Sequence, residues 1–216
     1  MALLDRAMAS RRRDCLFAAA LLITLSAPSA AAQEYPNRPI RIIVPFPAGG
    51  PTDILSRVIG QRMSEDFRQP VVIENRPGAN TVIGAVQVAR AAPDGYTLLA
   101  AMDTTLVMNP ATIKDLPYDP FRDFAAVTLA AVAAMPALDD ISSWIALMAP
   151  AHTPRPIVDK LQQEVGRMYA DRALYDRLEK AGINAVASTP DELDAFFRKE
   201  AVRWEKAFRD SGIQLE

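Results

Sequence analysis

The residues best suited to covalent or metal chemistry are scarce in this 216-residue chain, which has one histidine and one cysteine. A Ser-His-Asp triad or a histidine metal site has a single candidate imidazole, His152, in Ala151-His152-Thr153-Pro154 with no local partner. A solvated loop histidine is therefore expected. Asp139 and Asp140 are adjacent in sequence, so they do not face one point, and they read as a turn rather than an acid–base pair. Neither a G-x-G-x-x-G fingerprint nor a P-loop is present. No enzymatic activity, no cofactor and no metal are expected.

Anion capture by backbone donors is the chemistry that the remaining polar clusters support. The stretch Phe46-Pro47-Ala48-Gly49-Gly50-Pro51-Thr52-Asp53 places adjacent glycines, which let N–H groups approach a ligand, before a helix start that favours negative charge. Asn75 to Asn80 combines amides with Arg76, Gly78 and Ala79 ahead of a second helix. Met102 to Asn109 reads as a third loop, supplying Asp103, Thr104 and Thr105. Each alone is an ordinary turn. Together at one sheet edge they make an anion site of backbone donors and hydroxyls, and a carboxylate fits it without a buried cation.

The elements that must position these loops alternate strand and helix. Ile40 to Val44 is a β-branched run, followed by a helix that Thr52 can cap, with Leu55, Val58, Ile59, Met63 and Phe67 at three- and four-residue steps. Val71-Val72-Ile73 is the next strand. A helix from about Thr81 to Ala92 and a strand from Tyr96 to Ala101 follow. This is the rhythm of a parallel sheet, whose ligands sit beyond the carboxyl ends of the strands. Phe124 to Met135 is rich in alanine and valine without a sharp period, and Ile141 to Ala149 reads as a strand. Helices starting near Pro156 and at Asp171, a short strand at Ile183 to Val186, and a last helix opened by the capping box Thr189-Pro190-Asp191-Glu192 complete the chain.

Residues 1–32 read as a secretory signal. Arg11, Arg12 and Arg13 precede an apolar run from Cys15 to Leu25, and Ala30-Ala31-Ala32 offers a cleavage site before Gln33. Arg12-Arg13 leaves the export route open between the general and twin-arginine systems. Removing the segment takes Arg6, Arg11, Arg12, Arg13, Asp5 and Asp14, so 20 Lys+Arg stand against 24 Asp+Glu. A mature charge of −4 gives no support for nucleic-acid binding. The loss of Cys15 removes disulfides and thiolate sites. A periplasmic location is expected, with no membrane span after signal removal.

These residues resemble a known family. Tyr35 to Asp53 (YPNRPIRIIVPFPAGGPTD), Pro70 to Gly78, Ala92 to Leu98, Asn109-Pro110, Leu116 to Phe124, Ser142 to Trp144, Ala149 to Pro154, Ser188 to Pro190 and Gly212-Ile213 are similar to Bug-type substrate-binding proteins of tripartite tricarboxylate transporters. The resemblance implies a Venus-flytrap, periplasmic-binding-protein-like α/β fold, a small carboxylate ligand and delivery to membrane permease subunits. It implies ligand contacts from Phe46, Ala48, Gly49, Gly50, Thr52 and Asp53, from Asn75, Gly78, Ala79 and Asn80, and from Asp103, Thr104 and Thr105. One departure is large. In the family a complete second lobe separates the Val127-Thr128-Leu129 strand from the Ser-Ser-Trp stretch, whereas here only Thr128 to Ile141 separate Val127 from Ser142. Residues 33–216 are thus expected to form one lobe, a parallel-rich sheet with flanking helices, with the second lobe deleted near residues 130–141. Weakened binding follows from half a clamp. A non-binding remnant or an interaction module that keeps the lobe fold is the alternative.

Overall fold

The computed structural model describes residues 34–134, 142–180 and 182–211. The expected signal segment, the joint at Met135 to Asp140 and the terminal Gly212-Ile213 lie outside the described residues.

Six strands form one sheet: β1 Ile40–Val44, β2 Val71–Asn75, β3 Thr97–Met102, β4 Phe124–Ala134, β5 Ser142–Pro150 and β6 Asn184–Ala185, in the order β2-β1-β3-β5-β4-β6. β1 pairs in parallel with β2 and β3. β3–β5, β5–β4 and β4–β6 are antiparallel. The α/β lobe is as expected, and its sheet is mixed rather than parallel throughout. Only residues 135–141 separate β4 from β5, fewer than the roughly dozen residues a parallel crossover needs.

The helices are α1 Pro51–Phe67, α2 Val82–Ala89, a π-helical turn Thr104–Met108 running into α3 Asn109–Thr112, α4 Pro120–Asp123, α5 Arg155–Tyr169, α6 Arg172–Lys180 and α7 Pro190–Ser211. Side-chain alternation along the strands sorts them onto two faces. On one, Ile40, Ile42 and Val44 pack with Leu55, Ile59 and Met63 of α1, with Leu161 and Val165 of α5 and with Leu178 of α6. On the other, Ile43, Leu99, Ala101, Trp144 and Ala146 pack with Ala85 and Val88 of α2 and with Leu193 and Phe197 of α7. Strands covered on both faces read as apolar runs, Ile42-Ile43-Val44 in β1 after the exposed Arg41 and Leu98 to Met102 in β3.

β4 had no clear period because it is bulged. Its register with β5 shifts between Ala126 and Thr128 and again between Leu129 and Ala131, so Ala130 and Ala131 turn to the same face. Two helix starts also resolve differently. Gly50, not Thr52, is the N-cap of α1 and offers no side-chain bond; Pro51 takes the first position and Thr52 is buried inside the first turn. At α7 the capping box forms as read, with the Thr189 N–H donating to Glu192 Oε2 at 2.8 Å and the Glu192 N–H to Thr189 Oγ1 at 3.2 Å.

Candidate functional site

Parallel pairing puts the carboxyl ends of β1, β2 and β3 at one edge of the sheet: Val44 stands opposite Asn75, and Met102 ends β3 on the other flank. The segments that follow these three ends are the three polar clusters of the sequence. The structure therefore brings the predicted contributors together.

In the first loop, Asp53 is the organising group rather than an open contact. Its carboxylate is buried and accepts from the Gly49 N–H (2.8 Å), Arg57 Nε (3.0 Å) and Asn75 Nδ2 (2.9 Å). Asn75 Nδ2 also donates to the Phe46 carbonyl, and its Oδ1 accepts from Arg57 Nη2. Burial would raise the Asp53 pKa, but hydrogen bonds from Arg57, Gly49 and Asn75 and the Arg57 charge outweigh it and lower it to about 2. Asp53 and Asn75 thus close an internal network that shapes the loop. Exposed Ala48 and Gly49 and the half-buried Gly50 present backbone, with Gly49 at φ +86°. Ile54 is the first residue of α1 whose N–H bonds back, to the Gly50 carbonyl, so the Thr52 and Asp53 N–H groups precede the helical ladder and are the donors a helix start offers an anion.

The second loop holds four successive positive φ angles: Gly78 (+127°), Ala79 (+45°), Asn80 (+49°) and Thr81 (+75°). Three of these are not glycine, and Thr81 is β-branched. Left-handed geometry costs such residues roughly 1–2 kcal/mol each. Gly78, Ala79 and Asn80 are exposed and Thr81 is buried. The Asn80 side chain is occupied, donating from Nδ2 to Asn109 Oδ1 at 2.6 Å. Gly84 of α2 locks this loop to the first. A Cβ there would lie 2.8 Å from Pro45 Cβ and 3.1 Å from the Arg76 carbonyl.

The third segment is helical, not a loop, because Asp103 enters the π-helical turn directly from β3. Asp103 Oδ1 accepts from the Thr104 N–H at 2.7 Å, and its carboxyl also bonds Ser143 at the start of β5. Burial, the largest influence, raises its pKa against those bonds. Thr104 is half-buried, its hydroxyl directed at Asp103 and Met108. Thr105 is enclosed at 0% exposure, and its carbonyl accepts the Tyr118 hydroxyl at 2.6 Å. The structure gives Thr105 a packing position beneath the edge.

Sequence reading missed Arg57, Asn109, Tyr118 and Ser143. The Asp53–Arg57 spacing was a legible signal, being one helical turn. The other three reach the site only through the tertiary fold. His152 sits exposed in a turn at φ +65°. Among the described residues no cluster of His, Cys, Asp and Glu is placed to hold a metal ion, and no helix is long and apolar enough to cross a membrane. A cavity of about 230 Å³ between α1 and α6, lined by residues such as Arg62, Leu174 and Arg177, includes none of the predicted site residues.

Comparison with known proteins gives this geometry its context. Residues 55–139 match the family described as tripartite tricarboxylate transporter family receptor. A UPF0065 protein of Bordetella bronchiseptica is 46% identical over 112 residues, 52% of this chain and 33% of the relative. Protein BugT of Bordetella pertussis is 41% identical over 100 residues, 46% and 31% respectively. The chain thus spans about a third of the length of the curated relatives it matches. A solved periplasmic transporter superposes with a TM-score of 0.79 at 25% identity, over 84% of this chain and 100% of that one. Two proteins of Rhodopseudomonas palustris share the fold: one solved with adipate (TM-score 0.75, 20% identity, covering 83% and 99%) and MatC with bound malate (0.70, 23%, covering 80% and 99%). Over residues 55–139 the chain is similar to receptors of the tripartite tricarboxylate transporter family, and it forms one α/β lobe with the fold of periplasmic binding proteins.

Proposed function

We propose that the chain is a periplasmic solute-binding component of a tripartite tricarboxylate-type transporter. It takes a small carboxylate at the edge formed by Phe46 to Asp53, Asn75 to Asn80 and Asp103 to Thr105, and partners membrane permease subunits. The observation that carries this reading is the convergence of three strand-to-helix segments on one sheet edge, two of them held in place by buried polar networks. In the first two, Ala48, Gly49, Gly50, Gly78 and Ala79 carry little or no side chain, so a ligand can approach the backbone closely, which suits an anion. The names of the two R. palustris neighbours, with adipate and malate, support a dicarboxylate as the first probe.

The proposed organisation is a signal at 1–32 and a single lobe at 33–216, with the second lobe missing near 130–141. One observation supports it. Ala134 pairs with Ser142, and β5 runs from there past Met102, so the β4–β5 connection leaves from the same edge as the three loops. A lobe inserted there would face them. Its loss removes half the contacts and the exclusion of water, so affinity is weaker than in a two-lobed receptor. The alternative, a lobe that no longer binds or that docks another protein, is favoured by Ile54 (46% exposed) and Ile83 (54%), both beside the loops.

Thermal unfolding of the purified protein with millimolar malate, adipate and citrate tests the reading. Ligand at about ten times its Kd adds about 1.4 kcal/mol, a rise in Tm of roughly 3–6 °C for a domain of this size. No rise with any carboxylate sinks the binding reading in favour of the alternative.

A further inference from the structure

The strained run Gly78 to Thr81 is held from below by one buried amide. Asn109 is 0% exposed, at the junction of the π-helical turn and α3. Its Nδ2 donates to the Asn80 carbonyl (2.7 Å), Thr81 Oγ1 (3.2 Å) and Tyr118 Oη (3.3 Å), so two N–H groups serve three acceptors. Its Oδ1 accepts from Asn80 Nδ2 at 2.6 Å. Tyr118, itself buried, passes the connection on by donating to the Thr105 carbonyl. One side chain thus ties the loop after β2, the helical segment after β3 and the turn before α4. Only an amide has the required pattern: a carboxylate lacks the donors, and an aliphatic group lacks both donors and acceptor.

The need for such a clasp is physical. Ala79, Asn80 and Thr81 are held in left-handed geometry that their side chains disfavour, and strain of this kind persists only where the surroundings over-determine it. Within the loop itself, the Val82 N–H bonds to the Ala79 carbonyl and the Ala85 N–H to the Thr81 carbonyl, both at 3.1 Å. Those bonds exist only while the run keeps its conformation. Asn109 supplies the bonds from outside the loop to Asn80 and shares the Thr81 hydroxyl with Tyr118.

We infer that Asn109 is a positioning residue for the carboxylate edge: it touches no ligand, and it fixes the left-handed backbone of Gly78 to Thr81 on which capture depends. The binding consequence rests on the carboxylate reading above; the conformational one does not. Asn109→Ala leaves the Asn80 carbonyl and Thr81 hydroxyl without their buried donor. Asn80→Ala, at an exposed position, cuts only the 2.6 Å bond and serves if Asn109→Ala does not fold. Lys114→Ala, exposed in the same connection, is the control.

Two readouts on the full chain decide the matter. Amide hydrogen exchange should accelerate roughly tenfold or more at Val82 and Ala85 in Asn109→Ala, while Ile40 and Arg41 keep their protection. Titration with malate and adipate, followed by NMR, should show roughly tenfold weaker binding in the same variant and none of this in Lys114→Ala. Unchanged exchange at Val82 and Ala85 overturns the inference, as does loosened exchange with binding intact. If the unaltered chain responds to neither probe, the carboxylate reading fails and, with it, the binding half of the inference. The exchange comparison still decides whether Asn109 holds the loop.

Discussion

Replacing Asp53 by asparagine removes the charge at the centre of the first loop while keeping its shape. The carboxyl is 2% exposed, and its pKa is lowered from an ordinary 3.8 to about 2 by donors that outweigh the effect of burial. At 1.36 kcal/mol per pH unit, this amounts to about 2 kcal/mol of stability. Arg57, the charged partner, is 52% exposed, so solvent screens part of it and the expected loss is about 1–2 kcal/mol. The sign is set by the depressed folded-state value. The contribution is complete above the unfolded pKa of about 4 and disappears as the pH falls toward about 2. Urea unfolding of wild type and Asp53→Asn, at neutral pH and near pH 3, reads both quantities. The gap should be full at neutral pH and narrower near pH 3. Equal stability at neutral pH, or a gap indifferent to pH, would refute the assignment of Asp53 as the ionised centre of the loop.

A Cβ at Gly84 would meet the Pro45 ring and the Arg76 carbonyl rather than a flexible side-chain end, so Gly84→Ala should lower stability by about 1–3 kcal/mol despite alanine's better helix propensity. An unchanged urea midpoint would mean that α2 slides freely against both loops. Glu164 of α5 is buried, and its pKa is raised to about 7, first by burial and then by the carboxylate of Asp66 on α1, against the pull of Arg167 and Arg62. The folded state therefore binds this proton more tightly than the unfolded one, and stability should increase as the pH falls from about 7 to 4.5. Glu164→Gln should flatten that dependence in unfolding curves taken across the interval; an unaltered slope counts against a proton held by Glu164.

Much of this architecture is local in origin and was legible in the residues. Ile42 to Val44 and Leu98 to Met102 are apolar on consecutive positions because both faces of their strands are covered, so their burial is written in composition. The capping box at Thr189 and Glu192 acts over three residues and formed as read. So did the placement of three polar clusters beyond strand ends, since it follows from strand–helix alternation alone. Asp53 and Arg57 meet within one helical turn, and their pairing too lay within reach of the sequence.

What the tertiary structure decided are the relations between distant segments. The bulges of β4 blur its alternation, so neither its strand character nor its antiparallel partners followed from a period. The resemblance implies ligand contacts from Asp53 and Asn75; in the fold their side chains also bond each other across two adjacent strand ends. Asn80 has a free amide in the sequence and a committed one in the fold, because Asn109, 29 residues away, lies beneath it. A polar residue's type states what bonds it can make. Only the folded chain settles whether those bonds are made internally or left for a ligand, since that choice depends on which distant backbone arrives within 3 Å.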